Sequence, residues 1–218
     1  MSVIDYDKLF VSLPYCESAA QCESLTMFEE ADSYLIHVRM DFYLEDEGSA
    51  SSISLYGENT PATKVATLHG TLILGHQISH DAKDMYSVCD DCSDDLEALE
   101  TEVEKEGIIL SKEGLCRDIF YIDELEMSKE LIDAANVRSF FDLLPQAVFM
   151  HCNIMPELMC YLIASVDGYY QNRASTAELD QRSVDGFSPL LFTENGYTLS
   201  ESGNIIYQET EDFTLPIL

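Results

Sequence analysis

Two strands are predicted in the first third of the chain from the alternation of apolar and polar residues. Residues 34–43 place apolar side chains at nearly every second position, which is typical of a strand with one buried face. A loop or hairpin rich in Gly, Ser, Asn and Pro is expected over residues 46–62. A second strand is predicted over residues 64–74, and Gly70 and Gly75 mark positions where it is expected to bulge or bend.

Further strands are predicted from apolar runs in the second half. Residues 118–127 have the clearest strand character and predict the central strand of a sheet. Residues 147–152 form an apolar run that is compatible with a buried strand. Two closing strands are expected over residues 186–192 and 204–209, and they are joined through the turn dipeptide Asn195-Gly196.

One amphipathic helix is predicted with both of its ends defined. Ser93 is a good N-cap for a helix over residues 94–106, and Gly107 is a natural C-terminal stop. The apolar positions of this helix recur on one face: Leu96, Leu99 and Val103. The preceding residues 81–91 are expected to be an irregular acidic link.

Two more helices are expected later in the chain. Residues 136–144 have apolar positions at helical spacing, and Pro145 limits where that helix begins or ends. Pro156 suits the first position of a helix that continues to Ile163. Residues 165–185 are polar enough for a loop or a short helix.

Strands interleaved with helices indicate an α/β or α+β protein with a single mixed, mostly antiparallel sheet flanked by helices. About 46% of the residues are apolar, and 12 Tyr and 10 Phe are present, which is enough for a real hydrophobic core. We expect one domain over residues 1–218.

The order of the elements, together with four stretches, resembles the GNAT acetyltransferase fold. Residues 118–127 resemble the central strand that precedes the acetyl-CoA loop of that family, and residues 137–148 resemble the helix after that loop. Residues 147–152 and the segment from Pro156 resemble the next strand–helix pair, and residues 192–207 resemble the closing strands. The resemblance covers roughly half of the chain and implies a GNAT-like scaffold.

One stretch departs from the pattern of that family. The family's acetyl-CoA turn is basic and Gly-rich (Arg/Gln-x-x-Gly-x-Gly/Ala), and its backbone N–H groups hold the pyrophosphate. Residues 128–137 contain no Gly and place Glu130 and Asp133 where the ligand's charge would lie, offset only in part by Lys129 and Arg138. We therefore expect the scaffold to be kept with a degenerate acetyl-CoA loop, and we expect no cofactor.

The net charge is the feature of the sequence that bears most on function. The chain carries 41 Asp and Glu against 11 Lys and Arg, a formal charge of −30, whereas the solubility of a small domain requires a magnitude of only about 2–8. The surplus is spread along the chain and destabilises the compact state through self-repulsion. A halophilic origin is one explanation, and use of the surface in place of another polyanion is the one that we favour.

The densest acidic run predicts a partner-binding surface on and before the helix at residues 94–106. Its residues are Asp90, Asp91, Asp94, Asp95, Glu97, Glu100 and Glu104. Such carboxylates are able to stand in for backbone phosphates, which lie about 3.4 Å apart along one DNA strand. The leading hypothesis is a non-enzymatic inhibitor that occupies a basic, nucleic-acid-binding site on a partner protein such as a nuclease. DNA mimics and phage-type anti-defence proteins fit this description by analogy, and no direct binding of nucleic acid is expected.

Two alternative functions stay open. The first is a GNAT-type N-acetyltransferase that uses acetyl-CoA on a basic amine, in which a carboxylate among Asp123, Glu124 and Glu126 would act as general base. Alternation along the strand predicts Glu124 and Glu126 on one face and Asp123 with Leu125 on the other. The second is an immunity protein or antitoxin for a cationic toxin.

A zinc site is a further candidate. His76, His80, Cys89 and Cys92 have the spacing His-x3-His-x8-Cys-x2-Cys, which supplies two imidazoles and two thiolates for a closed structural site. The order and spacing do not match a standard zinc finger, and the alternative is two loop histidines with two ordinary thiols.

The expected location is the cytoplasm, with no membrane partner. The first ten residues lack a basic region followed by an apolar run, so no signal peptide is predicted. The seven Cys are an odd number and are expected to be reduced thiols.

Overall fold

The computed structural model describes residues 33–45, 62–133, 137–163 and 189–210, and the backbone of residues 9–18. The loop expected before Ala62 and the segment expected at residues 165–185 lie outside the described residues, as does the first part of the strand expected at residues 186–192. Within the described residues, no helix is both long enough and apolar enough to cross a membrane.

Seven strands form a single sheet. They are β1 (Leu9–Ser18), β2 (Leu35–Glu45), β3 (Ala62–Ile73), β4 (Ile119–Met127), β5 (Leu158–Leu162), β6 (Thr198–Leu199) and β7 (Ile205–Glu209). Their order in the sheet is β1-β2-β3-β4-β5-β7-β6. Among these strands β4 and β5 run parallel, and the other neighbouring pairs run antiparallel. The predicted class, a mixed and mostly antiparallel sheet flanked by helices, is therefore confirmed.

Six helices accompany the sheet in the described part of the chain. They are α1 (Gly75–His80), α2 (Met85–Asp90), α3 (Asp94–Lys105), α4 (Lys129–Ile132), α5 (Val137–Cys152) and α6 (Pro189–Glu194). Helices α1 to α3 contribute to one hydrophobic cluster and α4 to α6 contribute to another, so the two sets cover opposite faces of the sheet. We call the face with α1 to α3 the front face and the face with α5 the back face.

The front face holds α3 as the sequence predicts. The Ser93 hydroxyl caps the helix by accepting a hydrogen bond from the backbone N–H of Leu96, at 3.2 Å. The apolar stripe of α3 is at most 3% exposed and packs on Ile119 of β4 and on the other apolar residues of the front face. Gly107 follows the helix with φ of +74°, a conformation that glycine adopts without strain.

The back face is organised around aromatic rings. Phe140 and Phe141 of α5 are fully buried, and their ring centroids lie 5.0 Å from Phe42 and 5.2 Å from Phe192, respectively. These edge-to-face arrangements are the favoured geometry for aromatic pairs. They attach α5 and α6 to the strands.

Strand β4 is the centre of the sheet, as predicted. Ile119 and Tyr121 lie in the front cluster, while Phe120 and Ile122 lie in the back cluster, and all four are at most 4% exposed. The expected bulge at Gly70 is present, because the pairing of β3 with β4 shifts register between His69 and Gly70.

Several sequence predictions were wrong. The predicted acidic link contains α2, and α5 continues through Pro145 to Cys152, where a strand was predicted at residues 147–152. The segment after Pro156 forms β5 and not a helix. Residues 189–194 form α6, where the closing strand was expected.

Candidate partner-binding surface

Helices α1 to α3 concentrate negative charge on one part of the front face. Residues 75–107 contain eleven Asp and Glu against two Lys, a formal charge of −9. One of the two lysines, Lys105, is paired with the buried Glu102, with 2.8 Å between Nζ and Oε1. Most of the acidic side chains must therefore be solvated or must meet a cation from elsewhere.

The predicted binding residues divide by exposure. Four of them are exposed, Asp90, Asp91, Asp94 and Glu104, and two are half-buried, Asp95 and Glu97. We call these six residues the acidic patch. Within the described part of the chain, none of the four exposed members takes part in an ion pair. These four carboxylates are therefore available to a cation from solvent or from another protein.

Glu100 does not lie on the exposed surface where it was predicted. It is only 5% exposed, and α2 packs against α3, the helix that carries it. Burial, and then the charges of Glu104, Asp84 and Glu97, raise the pKa of Glu100 to about 7.

The concentrated charge also perturbs two neighbours on α2. A hydrogen bond from the Tyr86 hydroxyl to Glu97 Oε1, at 2.5 Å, is the main reason that the pKa of Tyr86 rises to about 12. Burial raises the pKa of the Cys89 thiol to about 12, and Glu100 adds to this effect. Negative potential is therefore high between α2 and α3.

Hydrogen bonds among His76, Asp118 and Glu157 fix the start of these helices to the sheet, and we call this group the clamp. His76 Nε2 lies 2.8 Å from Glu157 Oε2, and the His76 backbone N–H donates to Asp118 Oδ1 at 3.0 Å. The Asp118 backbone N–H in turn donates to the same Glu157 oxygen. Because Asp118 and Glu157 precede the parallel strands β4 and β5, the clamp sets the start of α1 against the centre of the sheet.

The structure does not bring the four candidate zinc ligands together. His76 belongs to the clamp, His80 is exposed with Nδ1 3.1 Å from Asp81, and Cys89 is fully buried among apolar residues. No group of three or more His, Cys, Asp or Glu able to hold a metal ion is found among the described residues. A closed site for zinc needs four convergent ligands with deprotonated thiols.

Within residues 128–133, part of the segment where the resemblance predicts the acetyl-CoA turn, three backbone donors are occupied. Ser128 caps α4, and its carbonyl accepts from the N–H groups of Leu131 and Ile132, each at 3.1 Å. The Asp133 N–H donates to the Lys129 carbonyl at 2.8 Å. These N–H groups are therefore not free to hold a pyrophosphate. Glu130 and Asp133 are both exposed, which leaves the segment acidic toward solvent.

A shallow depression of about 280 Å³ lies beside this segment, between the ends of β3 and β4. Its rim includes Lys64, Glu126 and Ser128. The Lys64 ammonium is already 2.8 Å from the carboxylate of Asp41. The described residues around the depression therefore do not offer an unpaired positive charge to a pyrophosphate group.

Sequence reasoning missed a polar area on the front side of β2, β3 and β4. The strand register aligns three rows of side chains: His37 with Thr71, Arg39 with His69 and Glu124, and Asp41 with Thr67 and Glu126. His37 Nδ1 lies 3.0 Å from Thr71 Oγ1, and the Thr71 hydroxyl donates to Asp123 Oδ2 at 3.4 Å. Only the register brings these residues together, so no local sequence signal predicts this area.

Asp123 corrects the predicted alternation along β4. The register shift opposite Gly70 inserts Asp123 between paired residues, so it meets Thr71 on the front side while Leu125 lies in the back core. Asp123 keeps an exposed edge, but neighbouring atoms displace enough of its hydration to raise its pKa to about 6, and Asp95 adds to this effect. A carboxylate with this pKa is suitable for a general base near neutral pH.

Comparison of the chain with protein-family models, with curated proteins and with solved structures finds no significant match.

Proposed function

We propose that this protein is a non-enzymatic binding protein that inhibits its partner by placing the acidic patch in a basic site that binds nucleic acid. One observation carries the proposal: the four exposed members of the acidic patch face solvent with no ion pair to any described residue, on helices that the clamp and a shared core fix to the sheet. Because the helices are anchored, the carboxylates are held in place before the partner arrives. We place the protein in the cytoplasm.

Physical considerations favour a basic partner. Carboxylates on a fixed framework lose little conformational freedom when they meet cations, which lowers the entropic cost of association. A net charge of −30 attracts a basic protein over a distance and accelerates encounter, while it repels nucleic acid itself. The partner is therefore expected to be a nuclease or another nucleic-acid-binding protein, and nucleic acid is expected to compete for the same site.

A GNAT-like scaffold is part of this proposal. The order central strand, short segment, helix and next strand is that of β4, α4, α5 and β5, which supports the resemblance seen in the sequence. The occupied N–H groups of residues 131–133 and the exposed Glu130 argue against a working site for acetyl-CoA.

The first test separates the patch from the total charge. One variant replaces Asp90, Asp91 and Asp94 with Asn and Glu104 with Gln. A matched control replaces Glu113, Glu124, Glu126 and Glu130 with Gln. All eight residues are exposed, and each variant changes the formal charge from −30 to −26. Binding of an octalysine peptide, measured by titration calorimetry at low salt, is expected to weaken about tenfold or more for the patch variant and by less than about threefold for the control.

Equal weakening in the two variants would mean that the peptide responds to total charge alone, and the proposal would fail. Circular dichroism of both variants checks that the fold is intact. A basic DNA-binding protein and a DNA duplex then extend the test, because the protein is expected to displace the duplex.

The alternative acetyltransferase function has one observation in its favour, the row of His37, Thr71 and Asp123. Since the Thr71 hydroxyl donates to Asp123, the His37 ring donates from Nδ1 to Thr71 and leaves Nε2 as a proton acceptor. An amine that lost its proton to this row would be able to attack an acyl donor.

Acetyl-CoA titration decides between the two functions. We expect no heat of binding at micromolar concentrations, because the N–H groups of residues 131–133 are occupied and two carboxylates flank them. Micromolar binding would instead favour the acetyltransferase.

A further inference from the structure

Glu100 leaves one carboxylate oxygen buried and without a hydrogen-bond partner. The residue is 5% exposed, and among the described residues no donor bonds to Oε2. Buried carboxylates in proteins are normally paired or hydrogen-bonded, because a buried charge without a partner is strongly disfavoured. A side chain with only a packing role at this position would be served better by an uncharged residue.

The described groups whose charges act on Glu100 are all acids. The titratable groups that face it from α2 and α3 are Asp84, Tyr86, Cys89, Glu97 and Glu104. The Tyr86 hydroxyl of α2 donates its hydrogen bond to Glu97. The seam between α2 and α3 is therefore acidic and encloses a buried, unused acceptor.

We propose that this seam receives one guanidinium group of the basic partner, and that Glu100 is the carboxylate that pairs with it. The proposal rests on the proposed function and names the side chain that the acidic surface recognises. In the free protein the seam is closed over Oε2. The hydrogen bond from Tyr86 of α2 to Glu97 of α3 crosses it, and these two side chains must rotate apart when the guanidinium group enters.

Arginine fits this seam better than lysine. A guanidinium group is planar, offers several donors in a fixed fork, and is less strongly hydrated than an ammonium group. It is able to pair with the carboxylates of Glu100 and Glu97 while its plane stacks on the ring of Tyr86, which is 41% exposed. An ammonium group makes point contacts and loses more hydration on entering the seam.

Pairing with a cation also changes the protonation of Glu100. Because its pKa is about 7 in the free protein, roughly half of the molecules hold a proton at pH 7, and binding of a guanidinium group releases it. Calorimetry in two buffers of different ionisation enthalpy measures this release. We expect roughly half a proton per complex at pH 7 and almost none at about pH 9.

The deciding experiment compares octa-arginine with octalysine on three proteins. Wild type is expected to bind octa-arginine about tenfold more tightly than octalysine. Glu100→Gln is expected to reduce that ratio to about threefold or less. Glu104→Gln, which removes a carboxylate one turn along α3, is expected to weaken both peptides and to keep the ratio.

Each outcome is decisive. A ratio near one in wild type, or the same ratio in Glu100→Gln, overturns this inference and leaves the proposed function in place. Failure of wild type to bind either peptide overturns the proposed function as well. If Glu100→Gln does not fold, the proton release of wild type with octa-arginine at pH 7 decides, and its absence overturns the inference.

Discussion

Replacing Glu100 with glutamine is expected to raise the free energy of unfolding by about 2–3 kcal/mol at about pH 8 and to leave it almost unchanged near pH 4. The pKa of Glu100 is about 7 in the folded protein against an ordinary value of 4.5. Between these values the folded chain keeps a proton that the unfolded chain has released, so stability falls as the pH rises. The penalty is nearly complete at about pH 8, and glutamine removes it because it does not ionise.

Urea denaturation of wild type and Glu100→Gln across this pH range measures the effect. Glu113→Gln is the matched control, since Glu113 is exposed in the turn before β4, and its substitution is expected to change stability by less than about 0.5 kcal/mol at every pH. A stability difference between wild type and Glu100→Gln that stays the same from pH 4 to pH 8 would contradict the burial of a titrating carboxylate in the seam.

Gly75→Ala is expected to destabilise the protein by about 3 kcal/mol or more. A Cβ atom at Gly75 would lie 1.9 Å from the carbonyl oxygen of Arg117 and 2.6 Å from its carbonyl carbon, and backbone atoms cannot rotate away. The start of α1 would have to move away from Arg117, which lies just before β4. This movement would stretch the bonds of His76 to Asp118 and Glu157 that hold the acidic helices on the sheet.

Gly107→Ala provides the comparison. This residue has φ of +74°, but no atom lies within 4 Å of the added Cβ, so only backbone strain of about 1 kcal/mol is expected. The midpoints of urea unfolding of the two variants measure the difference. Equal midpoints would contradict the close approach of Gly75 to the Arg117 backbone, because the added Cβ would then be accommodated at no extra cost.

The elements that were predicted correctly are those whose signals are local. Ser93, the apolar stripe of α3 and Gly107 lie within one helix, so caps and periodicity were sufficient to predict it. The alternation in β2 and the apolar run of β4 were equally clear. Helix α2 has six residues, which are too few to show a helical periodicity. Its N-cap, Asp84, accepts a hydrogen bond from the Ser87 backbone N–H, and Asp is a residue type that the sequence offers as a cap.

The errors around Pro145 have a different cause. Short apolar runs do not distinguish buried strands from buried helices, and a proline within a helical pattern favours a helix boundary near that residue. In the structure Phe140, Phe141, Leu144, Ala147 and Val148 continue one helical stripe on the back core, and this burial outweighs the loss of one backbone hydrogen bond at Pro145. Leu158 and Cys160 face the front core while Met159 faces the back, which requires a strand.

The candidate site was predictable only in part. The charge and exposure of Asp90, Asp91 and Asp94 follow from composition and from their position near helix ends. The burial of Glu100 depends on how α2 packs against α3, and the rows on β2 to β4 depend on strand register. The packing of α2 on α3 depends on the geometry of the turn between them, and the strand register depends on segments that are distant in sequence. No local sequence pattern specifies either of them.

The salt dependence of cation binding tests the central claim most directly. Octalysine is titrated into wild type, the four-residue patch variant and the matched control as NaCl is raised from about 50 to about 500 mM, a range over which screening shortens from beyond 10 Å to a few ångströms. We predict that the affinity of wild type falls steeply with salt, that the patch variant shows a clearly shallower dependence, and that the control keeps the slope of wild type. Affinity that does not respond to salt, or identical slopes in the two variants, would contradict the claim that the acidic patch of α2 and α3 is the working surface of this protein.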